Sequence, residues 1–315
     1  MFVGLFLDAF EQAPEEIILD FDATDDPVHG EQEGRFFHGY YGNYCYLPLY
    51  VFCGEHLLVA KLRTADRDAS DGSVETLAFL VERIRKRWPE VRIIVRGDSG
   101  FARDNLMTWC EDHAVYYLLG LAKNTRLLQK IGKELVEARA LFDATQQAAR
   151  VFTHFQWSTK KSWTRSRRVI AKAEHLPKGT NPRFIVTNLD ETYANPKALY
   201  EEGYCARGEM ENRIKEQQLD LFADRTSTHT MRANQLRLWF SSIAYVLVSA
   251  MRRMALAATR MAKSTCGSIR LKLFKIGAHI KLSVRRVIIH FASACPYQDV
   301  FQQALRTLSA YPLRC

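Results

Sequence analysis

IILDFD, residues 17–22, alternates apolar and acidic side chains with the period of a β-strand, so Ile18, Asp20 and Asp22 share one face. Beyond it, residues 25–37 are polar, contain Pro27, Gly30 and Gly34, and read as a loop. Residues 47–52 and 57–62 are two apolar runs joined by Cys53-Gly54-Glu55-His56, which predicts a hairpin. Val74, Leu77, Ala78, Val81, Ile84 and Trp88 recur at helical spacing, with Ser73 as the expected N-cap and Pro89 as the stop. Residues 91–95 form a short buried-type strand ending at Gly97-Asp98-Ser99-Gly100. A helix near residues 103–113, a strand near 115–121 and a long helix within 127–147 follow.

This order of strand, hairpin, helix, strand, helix, strand, with an acid closing the first and fourth strands, is the RNase H-like α/β plan. Crossover helices make the core strands parallel, and the hairpin supplies an antiparallel edge. Residues 150–189 break the pattern: they are β-branched and basic, with Phe152, Phe155, Trp157 and Trp163 interspersed. The expected organisation is a core beginning in residues 1–149, a β-rich basic insertion at 150–190, completion of the core by a helix within 191–235, and a helical basic C-terminal region at 236–315.

That completing helix contains YCARGEMENRIKEQQLD, residues 204–220. Tyr204, Arg207, Glu211, Lys215 and Gln218 are spaced to lie on one stripe at about 100° per residue. One acid among cations and a tyrosine suits a metal-binding carboxylate beside groups that grip phosphate. Cleavage or transfer at a phosphodiester by two hard cations needs carboxylate oxygens from separate elements. Asp22, Asp98 and Glu211 are the candidates, the first two at strand ends, where open α/β sheets place ligands. Asp20 shares Asp22's face and is the alternative first ligand.

Charge distribution points the same way. The chain has a net charge of +9, yet residues 251–315 carry twelve Lys/Arg against Asp299, and residues 150–189 carry nine against Glu174, leaving −10 elsewhere. An acidic body with two basic segments suits a polyanion laid across a carboxylate pocket. The seven cysteines are odd in number and show neither CxxC nor zinc-ligand spacing, so free thiols in a reducing cytoplasm are expected. The apolar N-terminus lacks a basic leader, and the longest uncharged apolar run, residues 238–251, is too short for a membrane span.

The segments LDFDATDDPVHG (19–30), RGDSGFAR (96–103), GLAKN (120–124) and the 204–220 helix together resemble bacterial insertion-sequence transposases of DDE group 1, the branch typified by insertion sequence thirteen-eighty. The resemblance runs from about residue 15 to the C-terminus. It implies a DDE transposase that cleaves DNA at transposon ends and joins the 3′-hydroxyl to target DNA. Its cofactor would be Mg²⁺, with Mn²⁺ as a substitute, its active complex a homodimer on DNA, and its place the bacterial cytoplasm and nucleoid, without membrane association.

By the same resemblance Asp22, Asp98 and Glu211 fill the triad and hold the metal, while Tyr204, Arg207 and Lys215 contact DNA. Related cut-and-paste enzymes carry lysine seven residues after the glutamate, where this chain has Gln218; Lys215 lies one turn earlier on the same stripe. Hairpin-forming relatives stack a flipped base on an aromatic of the β insertion. Trp163 is the candidate here, beside Lys160, Lys161, Arg165, Arg167 and Arg168 as phosphate contacts, with Trp157 as the alternative. Relatives also carry roughly a hundred residues before the first aspartate strand. The 21 residues ahead of Asp22 therefore suggest a truncated copy, and a silent DNA-binding remnant that inhibits an intact transposase is the alternative function.

Overall fold

The computed structural model describes residues 1–311, so Cys315 lies outside the described residues. The chain divides into two compact units, Met1–Glu211 and the part from Asn212 onward.

The first unit opens with α1 (Phe2–Asp8) and β1 (Glu16–Ala23), followed by a three-stranded flap of β2 (Asp26–Pro27), β3 (Phe36–His38) and β4 (Asn43–Tyr46). The hairpin β5 (Leu49–Cys53) and β6 (His56–Lys61) leads to α2 (Ser73–Arg87), β7 (Arg92–Gly97), α3 (Asp104–Asp112) and β8 (Tyr116–Leu121). Across the sheet these strands run β8-β7-β1-β5-β6. β7 and β8 lie parallel to β1, whereas β5 and β6 are antiparallel. That is the RNase H-like arrangement, a mixed α/β sheet with β1 at its centre.

Alternation along the strands divides the core between the two faces. Leu19 and Phe21 of β1 and Ile93 and Val95 of β7 are fully buried in the larger core, together with Leu77, Leu80 and Ile84 of α2. Each such side chain contributes about 1.5–3 kcal/mol by leaving water. The opposite face holds Ile94 of β7, Leu118 of β8 and the partly buried Ile18. The N-cap of α2 is Gly72, in a left-handed conformation at φ 72°, and not Ser73, which is the first helical residue and is buried. The long helix expected within 127–147 is broken at Ile131 into α4 (Thr125–Lys130), capped by the Asn124 side chain, and α5 (Gly132–Thr145).

β9 (Ala149–Trp157), β10 (Arg167–Leu176), β11 (Gly179–Thr180) and β12 (Arg183–Thr187) continue the same sheet, because β12 pairs antiparallel with β8 and β10 with β12. The basic segment thus widens the core sheet. The helical run that follows changes winding repeatedly. It is α-helical in α6 (Pro196–Ala198), π-helical over Leu199–Tyr204, 3₁₀ over Cys205–Arg207, α-helical in α7 (Gly208–Lys215) and π-helical again over Glu216–Asp220.

The second unit contains α8 (Met231–Met254), whose first turn is capped by Thr230, then α9 (Cys266–Ile269), the hairpin β13 (Ala278–Leu282) and β14 (Val287–Phe291), and α10 (Gln298–Ala310). The hairpin adds strands to a region whose sequence reads mainly as helix. Within this unit the buried Glu216 accepts from the Cys266 N–H at 3.0 Å and pairs with Arg213 and Arg252, each at 3.3 Å. The cysteines Cys45, Cys53, Cys110, Cys205, Cys266 and Cys295 are all free. Among the described residues no helix is long and apolar enough to cross a membrane.

Candidate active site

The parallel register of β1 and β7 pairs Asp20 with Arg96 and Phe21 with Gly97. Its next step sets Asp22 beside Asp98, on strands about 4.8 Å apart. The two acids that the sequence places at strand ends therefore become neighbours across 76 residues of chain.

Glu211 reaches the same place through Arg207. Arg207 Nη2 donates to Glu211 Oε1 at 2.9 Å, the i,i+4 contact that the helical stripe predicts, and Nη1 lies 3.7 Å from Asp22 Oδ2. Burial works against the Arg207 charge, but Asp22, the Tyr204 hydroxyl, Glu211 and Asp98 together outweigh it and raise its pKa. Asp22 shows the reverse balance. Burial, with Asp98 and Glu211 adding to it and Arg207 and the Ala23 N–H opposing, pushes its carboxyl up to about 7. Asp22 and Asp98 are also tied to their own backbones: Asp22 Oδ1 accepts from Ala23 N at 3.0 Å and Asp98 Oδ1 from Gly100 N at 2.8 Å.

Asp20 is engaged elsewhere. It is buried and accepts from Arg96 Nε at 2.5 Å and Nη2 at 2.8 Å. Burial raises its pKa in spite of those bonds. Arg96 Nη1 donates to the Gly203 carbonyl at 2.5 Å. The Asp20–Arg96 pair thus ties the π-helical turn before Glu211 to the sheet and occupies both Asp20 oxygens.

Tyr204 is placed by a glycine. A Cβ on Gly120 of β8 would lie 2.5 Å from the Tyr204 hydroxyl and 2.9 Å from Ser99 N, so only glycine lets the phenol approach. Burial raises the Tyr204 pKa against the opposing charge of the neighbouring Arg207. Beside it opens a cleft of about 430 Å³ lined by Asp98, Gly120, Lys123, Arg183, Tyr204 and Arg207. Lys123 and Arg183 are exposed, and neither makes an ion pair among the described residues. Tyr41 also faces the acids: burial, followed by Asp25, Asp22 and Asp98, raises its pKa.

Among the described residues no three His, Cys, Asp or Glu side chains stand close enough to hold a metal ion as they are. Asp22 and Glu211 flank the Arg207 guanidinium instead, and the charge of Asp98 is felt by both Asp22 and Arg207. The donor set still fits a hard divalent cation, because it consists of carboxylate oxygens and carries more negative charge than Arg207 neutralises.

The cations expected to meet DNA divide into two groups. Arg167 is buried, with Nη1 2.6 Å from Asp104, Nε 2.7 Å from Glu111 and Nη2 2.9 Å from Thr108, so it ties β10 to α3 and is withdrawn from any phosphate. Arg168 is buried as well and donates to the Leu189 carbonyl at 2.8 Å. Both correct the sequence reading, which has no view of the carboxylates on α3 that hold Arg167 or of the carbonyl that holds Arg168. Lys160, Lys161 and Arg165 are exposed, and Arg165 lies 3.3 Å from Glu111. Trp163 packs partly buried against the core with the Arg167 guanidinium over its ring at 5.5 Å, and Trp157 is covered by Arg126 at 4.5 Å. Neither ring offers an open stacking face on that side. Lys215 is exposed and Gln218 half-buried, both in the second unit, with Gln218 in a π-wound turn where the spacing of the stripe no longer holds.

Sequence reasoning missed Arg96, Gly120, Lys123, Arg183 and Tyr41. Two of them, Gly120 and Lys123, lie in the segment GLAKN, whose abrupt glycine after an apolar strand was the available signal.

The model of the family described as transposase DDE domain group 1 matches residues 1–313. No curated protein matches the sequence. Among solved structures, the piggyBac transposase synaptic complex with hairpin DNA is similar over 76% of this chain, at 10% identity and a TM-score of 0.43. The similar region spans about half of that protein's chain, 47%.

Proposed function

The chain belongs to the DDE-domain transposases of group 1, and we propose that it cuts DNA at transposon ends and joins the resulting 3′-hydroxyl to target DNA. The observation that carries this reading is the meeting of Asp22, Asp98 and Glu211, from three separate elements, around the single guanidinium of Arg207. Asp22, Asp98 and Glu211 would hold Mg²⁺ or Mn²⁺. When bound there, the cation supplies Lewis acidity and neutralises charge on the reacting phosphate.

The protein's own part is to bind and orient. Arg207, already charged and directed between the acids, holds a non-bridging phosphate oxygen, and Tyr204, fixed against Gly120, flanks the scissile position. Lys123 and Arg183 receive phosphates along the cleft, and the exposed Lys160, Lys161 and Lys215 bind other backbone phosphates. In the first step water attacks phosphorus, one P–O bond forms, the P–O3′ bond breaks, and the departing oxygen takes up a proton as a 3′-hydroxyl. In the second step that hydroxyl is the nucleophile on a target phosphodiester, again with one P–O bond made and one broken. One site can serve both steps, because the 3′-hydroxyl released in the first is already held there to attack in the second. Two copies would act together, one on each end.

Purified protein with Mg²⁺ or Mn²⁺ is expected to cut pre-nicked DNA and DNA carrying the element's ends. Asp98→Ala and Glu211→Ala should each lose on the order of 10³-fold or more in rate. Cleavage by either variant at the parent's rate overturns the assignment.

A further inference from the structure

The flap that follows β1 has an outer surface which the chemistry above leaves unused. β3 and β4 pair Phe37 with Tyr44, whose rings meet edge-on at 5.6 Å, and the Arg35 guanidinium lies over the Tyr44 ring at 4.9 Å. At the turn between the strands Tyr40 sets its ring edge-on to Tyr41 at 5.0 Å. Phe37, Tyr40 and Tyr44 are exposed by 57%, 87% and 49%. Three large rings in water within one short segment are costly, whereas the other face of the same flap is well packed. Cys45 is buried there with Leu47 and Ala65, and Tyr41 and Ala23 pack against them.

Tyr41 links this surface to the acids. Its hydroxyl donates to the carbonyl of Ala23 at 3.5 Å, the residue directly after Asp22. His38 also packs against its ring at 4.9 Å. The aromatic surface therefore begins one side chain away from the carboxylate at the end of β1.

We infer that Phe37, Tyr40, Tyr44 and Arg35 form a stacking platform for unpaired bases of the DNA strand engaged at the acid site. The inference rests on the proposed DNA chemistry and names where the bases beside the reacting phosphate go. Planar rings and a guanidinium suit bases of any sequence, because every base has a π-face. A protein-docking surface would be expected to offer aliphatic side chains as well, and the exposed part of this flap offers rings, the acids Glu31 and Glu33, and Arg35, which pairs with Glu31 at 3.5 Å. The platform also takes over the role that the sequence assigned to Trp163, whose ring is occupied by Arg167.

The test uses the whole chain with a chelator present, so that no strand is cut. The probe is a DNA duplex with a single-stranded overhang carrying 2-aminopurine. The parent should bind the overhang duplex more tightly than a blunt one and quench the probe by stacking. The double variant Phe37→Ala/Tyr40→Ala should lose roughly 5- to 150-fold in affinity for the overhang duplex, with blunt-duplex binding unchanged. Phe37→Trp/Tyr40→Trp should retain quenching. These side chains are exposed, so the variants should keep the parent's thermal stability. Equal overhang binding by the parent and the alanine variant, or no quenching by the parent, overturns the platform. The parent assayed with Mg²⁺ separates the two readings: quenching without cutting leaves the platform standing without the catalysis, and cutting without quenching does the opposite.

Discussion

The ends of β1 and β7 and the middle of β10 both bury charge, and they treat it in opposite ways. On β10 Arg167, Lys172 and Glu174 each meet a side chain of opposite charge, while Arg168 has only the Leu189 carbonyl. Arg167 lies between Asp104 and Glu111, and Glu174 receives Lys172 and Arg150, each at 2.6 Å. Burial works against ionised Glu174, yet the bonds from Lys172, Arg150 and Asn181 prevail and its pKa falls. At the ends of β1 and β7, Asp22, Asp98 and Glu211 share Arg207, and the Asp22 pKa rises to about 7. Matched buried charge holds the fold together. A surplus of one sign, kept in place by the fold, is a site that awaits a ligand of the opposite sign.

Removing one partner from the matched region should produce the largest change in stability. Arg167→Ala strips Asp104 of its guanidinium and leaves Glu111 only the more distant Arg165, and denaturant unfolding should show a loss of up to about 3–5 kcal/mol. Folded Arg167→Ala should cut DNA at the parent's rate, and a rate that fell with unchanged stability would move Arg167 into the site.

The surplus region should respond in the opposite sense. The raised pKa means folded Asp22 binds a proton that the unfolded chain, with a pKa of about 4, has already released. The stability tied to that proton is complete below about pH 4 and is lost as pH rises through about 7. Asp22→Asn cannot lose it, so this variant should exceed the parent by up to about 4 kcal/mol at pH 8 and match it at pH 4. Identical pH profiles for the two proteins would remove the charge surplus from the account.

A smaller effect tests the seat of Tyr204. Gly120→Ala places a methyl 2.5 Å from the Tyr204 hydroxyl and should cost about 1–3 kcal/mol in thermal unfolding. Adding Tyr204→Phe removes the oxygen that is struck and should return most of that loss. A double variant no more stable than Gly120→Ala alone would place the strain at Ser99 instead.

The same comparison explains what could be read from the sequence. Asp22 and Asp98 were legible because each follows a strand's apolar alternation at its end, a local signal. The Arg207–Glu211 contact was legible because i,i+4 spacing is local too. Asp20 and Arg96 were not, since their pairing depends on the register of strands 76 residues apart. Arg167 and Arg168 looked like DNA contacts because a basic run reveals its charge and hides its partners, Asp104 and Glu111 for Arg167 and the Leu189 carbonyl for Arg168. The stripe lost its meaning at Gln218 because π-winding over Glu216–Asp220 departs from the assumed angle per residue. The flap carries few long apolar runs, so its sequence reads as loop although short strands form there.

The account stands or falls on whether the three acids act together on a divalent cation. Mn²⁺ titration at pH 8, followed by electron paramagnetic resonance, measures that directly on the parent and on Asp22→Asn, Asp98→Asn and Glu211→Gln. The predicted result is saturable binding by the parent that weakens at least tenfold in each single variant. Equal binding by the parent and a variant lacking all three carboxylates would contradict it.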